Sequence, residues 1–300
     1  MESTVGNGYQ LNLSDQIKIY LQLAKLRIVT LLVFTTATAM IIAAGGFPSL
    51  DLFVITLLGG ALAAAGSSAI NQYIDRDMDA RMARTARRPI PSGRIEPINA
   101  LLFGVGMIAW SVVILGIFVN LLAAFLAFLG AIYYVVLYTL ILKRNTVVNI
   151  LIGGGAGAIP VLVGWAAVQG SLNFEAFLLF AIVFYWTPPH SWALALLVNA
   201  DYTKAKVPMM PVARGEEATR VQILLYSVQL LLITLLPALF GTLGALYFVI
   251  AVILGTGLIF MAVKLMREAT KTVARSTYKY STMYLALLFL AMIVDRLLLA

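Results

Sequence analysis

The stretch LFVITLLGGALAAAGSSAINQYI, residues 52–74, decides the fold of this chain. It carries no charged side chain, and a helix needs roughly 20 mostly apolar residues to cross the hydrocarbon core of a bilayer. Similar runs recur along the chain, in which 62% of the residues are hydrophobic and only 11% are charged. This composition excludes an ordinary soluble domain, and continuous runs exclude a membrane β-barrel, whose strands alternate. We therefore predict an all-α fold, a polytopic bundle of membrane-spanning helices.

About nine runs are long enough to span a membrane. Their predicted limits are 27–46, 52–74, 98–119, 121–142, 147–168, 173–198, 221–240, 242–263 and 281–299. No linker or shift in composition divides the chain, so we predict one domain over residues 1–300. The two long polar loops, 75–97 and 199–220, fall on the same side of the predicted bundle, and function concentrates in such loops.

The basic residues indicate the orientation of the bundle. With nine spans, all but one of the 21 Lys and Arg residues lie on the side of the N-terminus, and only Arg296 lies near the other side. The positive-inside rule then places the N-terminal segment 1–26 and both long loops in the cytoplasm. The net charge of +8 is thus a topology signal, and nucleic acid is not a predicted partner. Segment 1–26 shows no signal or transit peptide pattern, which favours a prokaryotic plasma membrane.

A motif of metal-binding character begins at the end of the quoted run, in NQYIDRDMDARMARTARRPIPSGRI, residues 71–95. Asn71, Asp75 and Asp79 lie four residues apart, so on a helix they form one stripe, and Asp77 faces elsewhere. Their oxygens suit Mg²⁺, which binds one or two carboxylates together with the phosphates of a substrate. The alternative is that these acids only pair with neighbouring arginines in a solvated loop.

Cations near this motif offer donors for a diphosphate group. Arg84 and Arg88 follow in the same loop, Lys143 follows the fourth apolar run, and Lys204 lies in the second long loop. Asp201 precedes Lys204 and supplies a carboxylate from the opposite loop, so a metal–diphosphate unit can be held from two sides. The charges therefore predict a site for a diphosphate ester at the cytoplasmic end.

Lys25, which precedes the first run, and Arg27, with which that run begins, have two interpretations. They contact anionic groups of a substrate, or they are topology-determining charges that extend to the interface.

These motifs resemble the UbiA-type intramembrane prenyltransferases. NxxxDxxxD is followed by MxRTxxRPxxxG, whose fixed positions here are Met82, Arg84, Thr85, Arg88, Pro89 and Gly93. Within that family, WTPPHSWALAL at 186–196 and DYxxxxVPMMPV at 201–212 are similar to the branch that acts on haem. The resemblance covers essentially the whole chain. It implies nine helices, Mg²⁺, and transfer of a farnesyl group from farnesyl diphosphate to a vinyl group of haem B, with water addition giving haem O.

The resemblance also implies where haem binds. His190, the only histidine of the chain, contacts haem as an iron ligand or near the propionates, and Trp186 stacks on the porphyrin. The alternative for Trp186 is interfacial or core packing, which is the commoner role of tryptophan. The alternative for His190 is a buried imidazole that satisfies a helix backbone broken by Pro188 and Pro189. Expected partners are the lipid bilayer and, for the product, a downstream haem A synthase or terminal oxidase assembly factors.

The chain departs from the family pattern at two motifs. The second acidic motif, DxxxD in the family, is Asp201-Tyr-Thr-Lys-Ala205 here, with one acid. The Tyr-xxx-Lys signature of the fourth span contains one extra residue between Tyr138 and Lys143.

Two runs of small residues, GGALAAAGSSA at 59–69 and GGGAGA at 153–158, have two compatible interpretations. They allow close helix packing, or they leave room for a bulky ligand inside the bundle.

Other activities remain as alternatives. One alternative is a prenyltransferase of the same fold that acts on a quinone precursor or a chlorin, but such an enzyme would not account for the WTPPH motif. Another is a secondary transporter, which would not account for the acidic triad and the arginines that follow it. A phosphatidyltransferase requires a glycine spacing that residues 75–79 do not have.

Overall fold

The computed structural model describes residues 12–299, so residues 1–11 of the predicted cytoplasmic segment, and Ala300, lie outside it. The described residues form helices and no β-strand, which confirms the all-α prediction. The helices are α1 (Leu13–Ala24), α2 (Leu26–Ala44), α3 (Leu50–Asp79), α4 (Pro97–Phe118), α5 (Leu121–Asn145), α6 (Asn149–Gln169), α7 (Phe174–Leu197), α8 (Asn199–Lys204), α9 (Met210–Leu239), α10 (Ala245–Glu268) and α11 (Lys271–Leu299).

Eight of the described helices, α2 to α6 and α9 to α11, are long and apolar enough to cross a membrane. The remaining predicted span, α7, is 24 residues long and therefore about 36 Å at 1.5 Å per residue. Its length suffices for a bilayer, but the segment WTPPHS, residues 186–191, lowers its apolar content. The nine predicted runs thus all form helices, and the least apolar one contains the motif with the histidine.

Several helices extend beyond the apolar runs that predicted them. α9 begins at Met210 rather than 221, and α11 begins at Lys271 rather than 281. The predicted loop 199–220 is therefore largely helical, interrupted by extended backbone around Val207–Met209 and by a break at Gly215. Hydropathy detects only the part of a helix that lies in hydrocarbon, whereas helices continue where water solvates their charged side chains.

Close contacts between small residues hold neighbouring helices together. A Cβ on Gly66 of α3 would lie 2.5 Å from the carbonyl oxygen of Gly104 on α4, so the two backbones touch. A Cβ on Gly164 of α6 would lie 2.4 Å from the carbonyl oxygen of Thr36 on α2. Without a hydrophobic driving force between helices in lipid, such close approach provides much of the packing energy. For the predicted run 59–69, the packing interpretation is confirmed at Gly66.

The N-terminal helix α1 is an element that hydropathy did not predict. It packs on α3, where the hydroxyl of Ser68 and the side-chain amide of Gln72 both donate to the carbonyl oxygen of Leu23, each over 2.8 Å. Both bonds go to a carbonyl group that the end of α1 leaves without a helical partner. Lys25 then adopts a left-handed conformation, with φ of 51°, and joins α1 to α2. This junction brings Lys25 to the polar end of α3.

Candidate active site

The predicted stripe is present on the last two turns of α3. Asn71, Asp75 and Asp79 are all buried, with exposed fractions of 2%, 0% and 1%, whereas Asp77 is exposed. The side-chain amide of Asn71 donates to Oδ2 of Asp75 over 2.8 Å. The residues that follow fold back on the stripe, since the hydroxyl of Thr85 donates to the carbonyl oxygen of Asp79 over 2.9 Å. The acids therefore lie inside the protein and not in a solvated loop.

Each buried carboxylate has a cationic partner from another segment. Nη1 of Arg88 lies 2.6 Å from Oδ2 of Asp79, and Nζ of Lys143 donates to Oδ2 of Asp75. Nη2 of Arg144 lies 3.4 Å from Oδ1 of Asp75. Two predicted diphosphate-binding cations, Arg88 and Lys143, thus lie directly at the stripe. Arg144 was not predicted, and no spacing within the motif indicated it.

Lys25 provides a further cation at the stripe. Its Nζ donates to Oδ1 of Asn71 over 2.9 Å, which places this cation beside the predicted metal ligands. Burial lowers the pKa of Lys25 to about 7, and the positive charges of Arg88 and Lys143 act in the same direction. The two site carboxylates oppose this shift. An anionic ligand beside Lys25 would favour its protonated form.

An unusual helix geometry explains the extra residue in the Tyr138–Lys143 spacing. Tyr133–Leu142 within α5 form a π-helix, in which hydrogen bonds join residues five apart. Residues at a spacing of five therefore share a face, which places both Tyr138 and Lys143 toward the site. On the same segment the hydroxyl of Thr139 lies 3.2 Å from Nδ2 of Asn71 and donates to the carbonyl oxygen of Tyr134 over 2.8 Å. Long π-helices are rare and frequently mark functional sites.

The second long loop meets the first at this end of the bundle. Oδ2 of Asp201, on α8, accepts from the backbone N–H of Arg84 over 3.4 Å. Tyr202 beside it is buried in a cluster with Met78 and Met82, which joins the two loops through apolar contacts. Lys204 is exposed and forms no ion pair with the residues that the structure describes. Of the two loop residues predicted to hold a diphosphate from the far side, Asp201 lies against the first loop, and the role of Lys204 stays a prediction.

A large cavity of about 550 Å³ adjoins the charged cluster inside the bundle. Lys25 and Tyr138 line it at the charged cluster, and Trp186 and His190 of α7 line it as well. A second cavity of about 280 Å³ lies on the other side of Lys25 and is bordered by Arg84, Arg87 and Arg88. The larger volume falls in the range typical of small-molecule sites, roughly 300–1,000 Å³.

Two glycines of the small-residue runs face this cavity. A Cβ on Gly60 of α3 or on Gly157 of α6 would meet no atom within 4 Å, and both residues line the cavity. Helix packing therefore does not require glycine at either position, and the missing side chains widen the cavity. Their neighbours Gly59 and Gly153 instead pack closely against Leu115 and Tyr138, so both interpretations of the small residues hold, at different positions.

His190 and Trp186 lie on one face of α7. Their rings stack with centroids 4.3 Å apart and planes inclined by 22°, and Trp186 is buried. Tyr278 lies on α11, and the centroid of its ring is 4.7 Å from that of His190. His190 Nδ1 lies 2.9 Å from Oγ of Ser281. The structure thus brings both predicted haem-contacting residues to the cavity.

The donor set at the stripe fits a hard divalent cation. Asp75 and Asp79 offer two buried carboxylates one helical turn apart, and Asn71 adds an amide oxygen. Across residues 12–299 no group of three or more Asp, Glu or His side chains is placed to hold a metal ion. A cation bound at the stripe would therefore complete its coordination with water and the oxygens of a ligand, as Mg²⁺ commonly does with substrate phosphates.

A family model described as the UbiA prenyltransferase family matches residues 32–292. Among similar proteins, a protoheme IX farnesyltransferase of Symbiobacterium thermophilum is 51% identical over 281 residues, which cover 93% of this chain and 94% of that protein. One of Roseiflexus sp. (strain RS-1) is 52% identical over 280 residues, which cover 93% of this chain and 52% of that protein. The chain thus spans about half the length of the Roseiflexus relative.

Solved structures share the fold at low sequence identity. A digeranylgeranylglyceryl phosphate synthase superposes with a TM-score of 0.78 at 19% identity, covering 94% of this chain and 99% of that one. A UbiA homolog from Archaeoglobus fulgidus, bound to GPP and Mg²⁺, superposes with a TM-score of 0.64 at 17% identity, covering 92% of this chain and 99% of that one. These likenesses confirm the helical membrane fold.

Proposed function

The chain belongs to the UbiA prenyltransferase family, and from this premise we propose that it transfers the farnesyl group of farnesyl diphosphate to a vinyl group of haem B. Water adds in the same reaction, and the products are haem O and diphosphate. The observation that carries the proposal is the 51% identity to a protoheme IX farnesyltransferase over 94% of that relative's length. A buried acidic stripe beside a mostly apolar intramembrane cavity supports it.

We propose that the charged cluster holds the diphosphate end of the donor. Arg88, Lys143 and Lys25 can exchange their contacts with the stripe for contacts with phosphate oxygens, and Arg84 borders the same region. Asn71, Asp75 and Asp79 would hold Mg²⁺, which supplies Lewis-acid neutralisation of negative charge on the diphosphate. Asp201 supports this region from the second loop through the backbone of Arg84.

The reaction begins with heterolysis of the allylic C–O bond of the donor, and the electron pair leaves with the diphosphate. Arg88, Lys143 and Lys25 stabilise the charge that develops on this leaving group. The π electrons of the haem vinyl group form the new carbon–carbon bond, and the resulting cation takes an oxygen from water, which loses a proton. The apolar walls of the cavity keep bulk water from the allylic cation until the carbon–carbon bond has formed.

The apolar part of the cavity accommodates the farnesyl chain and the porphyrin. Both substrates partition into lipid, so a site at membrane depth also receives them from the bilayer. We propose that His190 contacts haem there and that Trp186, stacked on His190, holds this imidazole in place.

The protein is an integral membrane protein, as its eight apolar helices and its fold show. We propose that this membrane is a prokaryotic plasma membrane. From the distribution of the basic residues, we propose that the active site faces the cytoplasm. A downstream haem A synthase or a terminal oxidase assembly factor is the proposed recipient of the product.

One experiment tests the proposed function directly. Purified protein is incubated with farnesyl diphosphate, haem B and Mg²⁺, and the porphyrin product is analysed by mass spectrometry. A mass increase equal to a farnesyl group plus a hydroxyl group supports the proposal. Unchanged haem, together with prenylation of a quinone precursor or a chlorin supplied in parallel, favours the related prenyltransferase activity.

Replacing His190 by Ala is expected to weaken haem-dependent activity more than diphosphate binding. His190 lines the cavity, whereas the charged cluster that is proposed to hold diphosphate lies on α3 and α5. Haem affinity is measured by absorbance titration, and donor affinity by competition with a non-hydrolysable farnesyl diphosphate analogue. Unchanged haem affinity and rate in His190→Ala would leave the imidazole a purely structural role.

Replacing Gly157 by Leu is expected to reduce use of farnesyl diphosphate by about tenfold or more, because a misfit of even one methylene in an apolar pocket costs about 1–3 kcal/mol. The new side chain would occupy cavity space that no protein atom fills. Rates with farnesyl, geranyl and dimethylallyl diphosphates are compared, and the shorter donors should lose less.

The matched control for this variant is Gly106→Leu. Gly106 lies on α4, where a Cβ would also meet no atom within 4 Å, but it does not line the cavity. Equal losses in the two variants would show that the effect of Gly157→Leu is not due to cavity volume.

A further inference from the structure

Two side chains of α7 converge on a single residue of α11, Ser281. The indole Nε1 of Trp186 donates to the backbone carbonyl oxygen of Ser281 over 2.7 Å. Nδ1 of His190 lies 2.9 Å from the hydroxyl oxygen of the same residue. Ser281 is fully buried, at 0% exposure. Ser281 therefore contacts both His190 and Trp186, the two residues predicted to bind haem.

The hydroxyl group of Ser281 determines which nitrogen of His190 carries the proton. Its oxygen lies 2.8 Å from the carbonyl oxygen of Tyr278, to which it can only donate, because a carbonyl has no hydrogen to offer. A serine has one hydroxyl hydrogen, so its oxygen is left as an acceptor toward His190. Nδ1 must then be the protonated nitrogen. The opposite arrangement, with Ser281 donating to Nδ1, would make one of these two hydrogen bonds instead of both.

In this tautomer the neutral imidazole has an unprotonated Nε2 with a free lone pair. Within the described part of the chain, Nε2 has no hydrogen-bond partner, and His190 lines the large cavity. The imidazole ring contacts two aromatic rings, that of Trp186 at 4.3 Å and that of Tyr278 at 4.7 Å between centroids. Rotation of the ring is thereby restricted, and the nitrogen opposite the bond to Ser281 is the one available to a ligand.

We propose that Ser281 is a positioning residue that keeps His190 in the Nδ1–H tautomer, so that Nε2 binds the iron of the haem substrate. This inference rests on the proposed function. Histidines that bind metals almost always donate their other N–H to an oxygen acceptor, and losing such a partner typically costs about 10–100-fold in metal affinity. Iron bound at Nε2 anchors the centre of the porphyrin on α7, while the vinyl groups at its rim stay free to react.

The test is a haem titration of full-length protein in detergent, without farnesyl diphosphate, followed by absorption spectroscopy. Ser281→Ala is expected to bind haem about 10–100-fold more weakly than wild type and to shift the Soret and visible bands. Ser281→Thr, which keeps a hydroxyl group, should retain the wild-type bands. Resonance Raman spectra of the ferrous complex should show a lower iron–histidine stretching frequency in Ser281→Ala, because the ligand loses the hydrogen bond at Nδ1.

Each outcome either supports or overturns the role of Ser281. Ser281→Ala with wild-type affinity, absorption bands and iron–histidine frequency would refute it. Weaker binding with an unchanged iron–histidine frequency would also refute it, because a purely structural defect lowers affinity without altering the bond. The bond between Trp186 and Ser281 involves the backbone and persists in both variants, and thermal unfolding checks that they fold.

The failure of this inference is distinguishable from the failure of the proposed function. Wild-type protein that forms haem O, with a Ser281→Ala variant that has wild-type spectra, would contradict only the role of Ser281. Wild-type protein that neither binds haem nor alters its mass would contradict the proposed function itself.

Discussion

Asp75→Asn is expected to abolish prenyl transfer while the protein still inserts into the membrane and folds. Asp75 is fully buried and lies at the centre of the charged cluster, in contact with Asn71, Lys143 and Arg144. Asparagine keeps the shape and one acceptor oxygen, but it removes the charge, the second hard oxygen ligand and the acceptor for either Arg144 or Lys143. Because Lewis-acid and electrostatic stabilisation of a leaving group each contribute several kcal/mol, the rate should fall about 10³-fold or more.

Initial rates with farnesyl diphosphate, haem and Mg²⁺ measure this effect. The matched control is Asp77→Asn, two residues away on α3, whose side chain is exposed and should leave the rate nearly unchanged. Removing divalent cations from the wild-type protein with a chelator should reproduce the loss seen in Asp75→Asn. Normal turnover by Asp75→Asn, or by the chelated wild type, would disprove the assignment of the acidic stripe.

Lys143→Met is expected to reduce both the stability and the activity of the protein. Removing one partner of a buried ion pair leaves the other charge uncompensated, at a cost of about 3–5 kcal/mol. Arg144 cannot fully replace Lys143, because its contact with Asp75 is longer, at 3.4 Å, and 42% of its side chain is exposed against 12% for Lys143. Catalysis also loses a cation that is proposed to meet the leaving diphosphate.

The double variant Asp75→Asn with Lys143→Met separates these two effects. It removes both members of the pair, so its loss of stability should be clearly smaller than the sum of the losses in the single variants. Its activity should stay as low as that of Asp75→Asn, because both groups act on the diphosphate. Thermal unfolding in detergent and initial rates give the two readouts.

Lys204→Met is the control for removing a lysine from this end of the protein. Lys204 is exposed and forms no ion pair among residues 12–299, so its replacement should alter stability by less than about 0.5 kcal/mol.

For the double variant of Asp75 and Lys143, additive stability losses would mean that the two residues do not interact in the folded protein.

The sequence was sufficient for the helices and for the acidic stripe, because both depend on local spacing. Apolar runs predicted each membrane-spanning helix, and the spacing of four predicted that Asn71, Asp75 and Asp79 would share a face while Asp77 would not. Hydropathy misplaced the ends of α9 and α11, since it does not detect helix outside the hydrocarbon region. It also missed α1.

The partners of the stripe depend on contacts between distant parts of the chain. Lys143 lies 68 residues from Asp75, and Lys25 lies 46 residues from Asn71. The extra residue before Lys143 looked like a departure from the family motif, and only the π-helical turn of α5 showed why it still faces the site. Lys204 was predicted from its residue type, and the structure shows that its side chain is exposed.

By itself, the sequence determined the helical membrane fold, the acidic stripe and the position of the lone histidine on α7, since each follows from residue type and helical period along one segment. Tertiary structure alone decided which cations neutralise the buried carboxylates, and which glycines widen the cavity instead of allowing close helix packing. It also decided that Ser281 contacts the imidazole of His190, 91 residues away. The physical reason is that a buried charge or a buried N–H must find a partner, but the helix that supplies this partner is set by how the whole bundle packs.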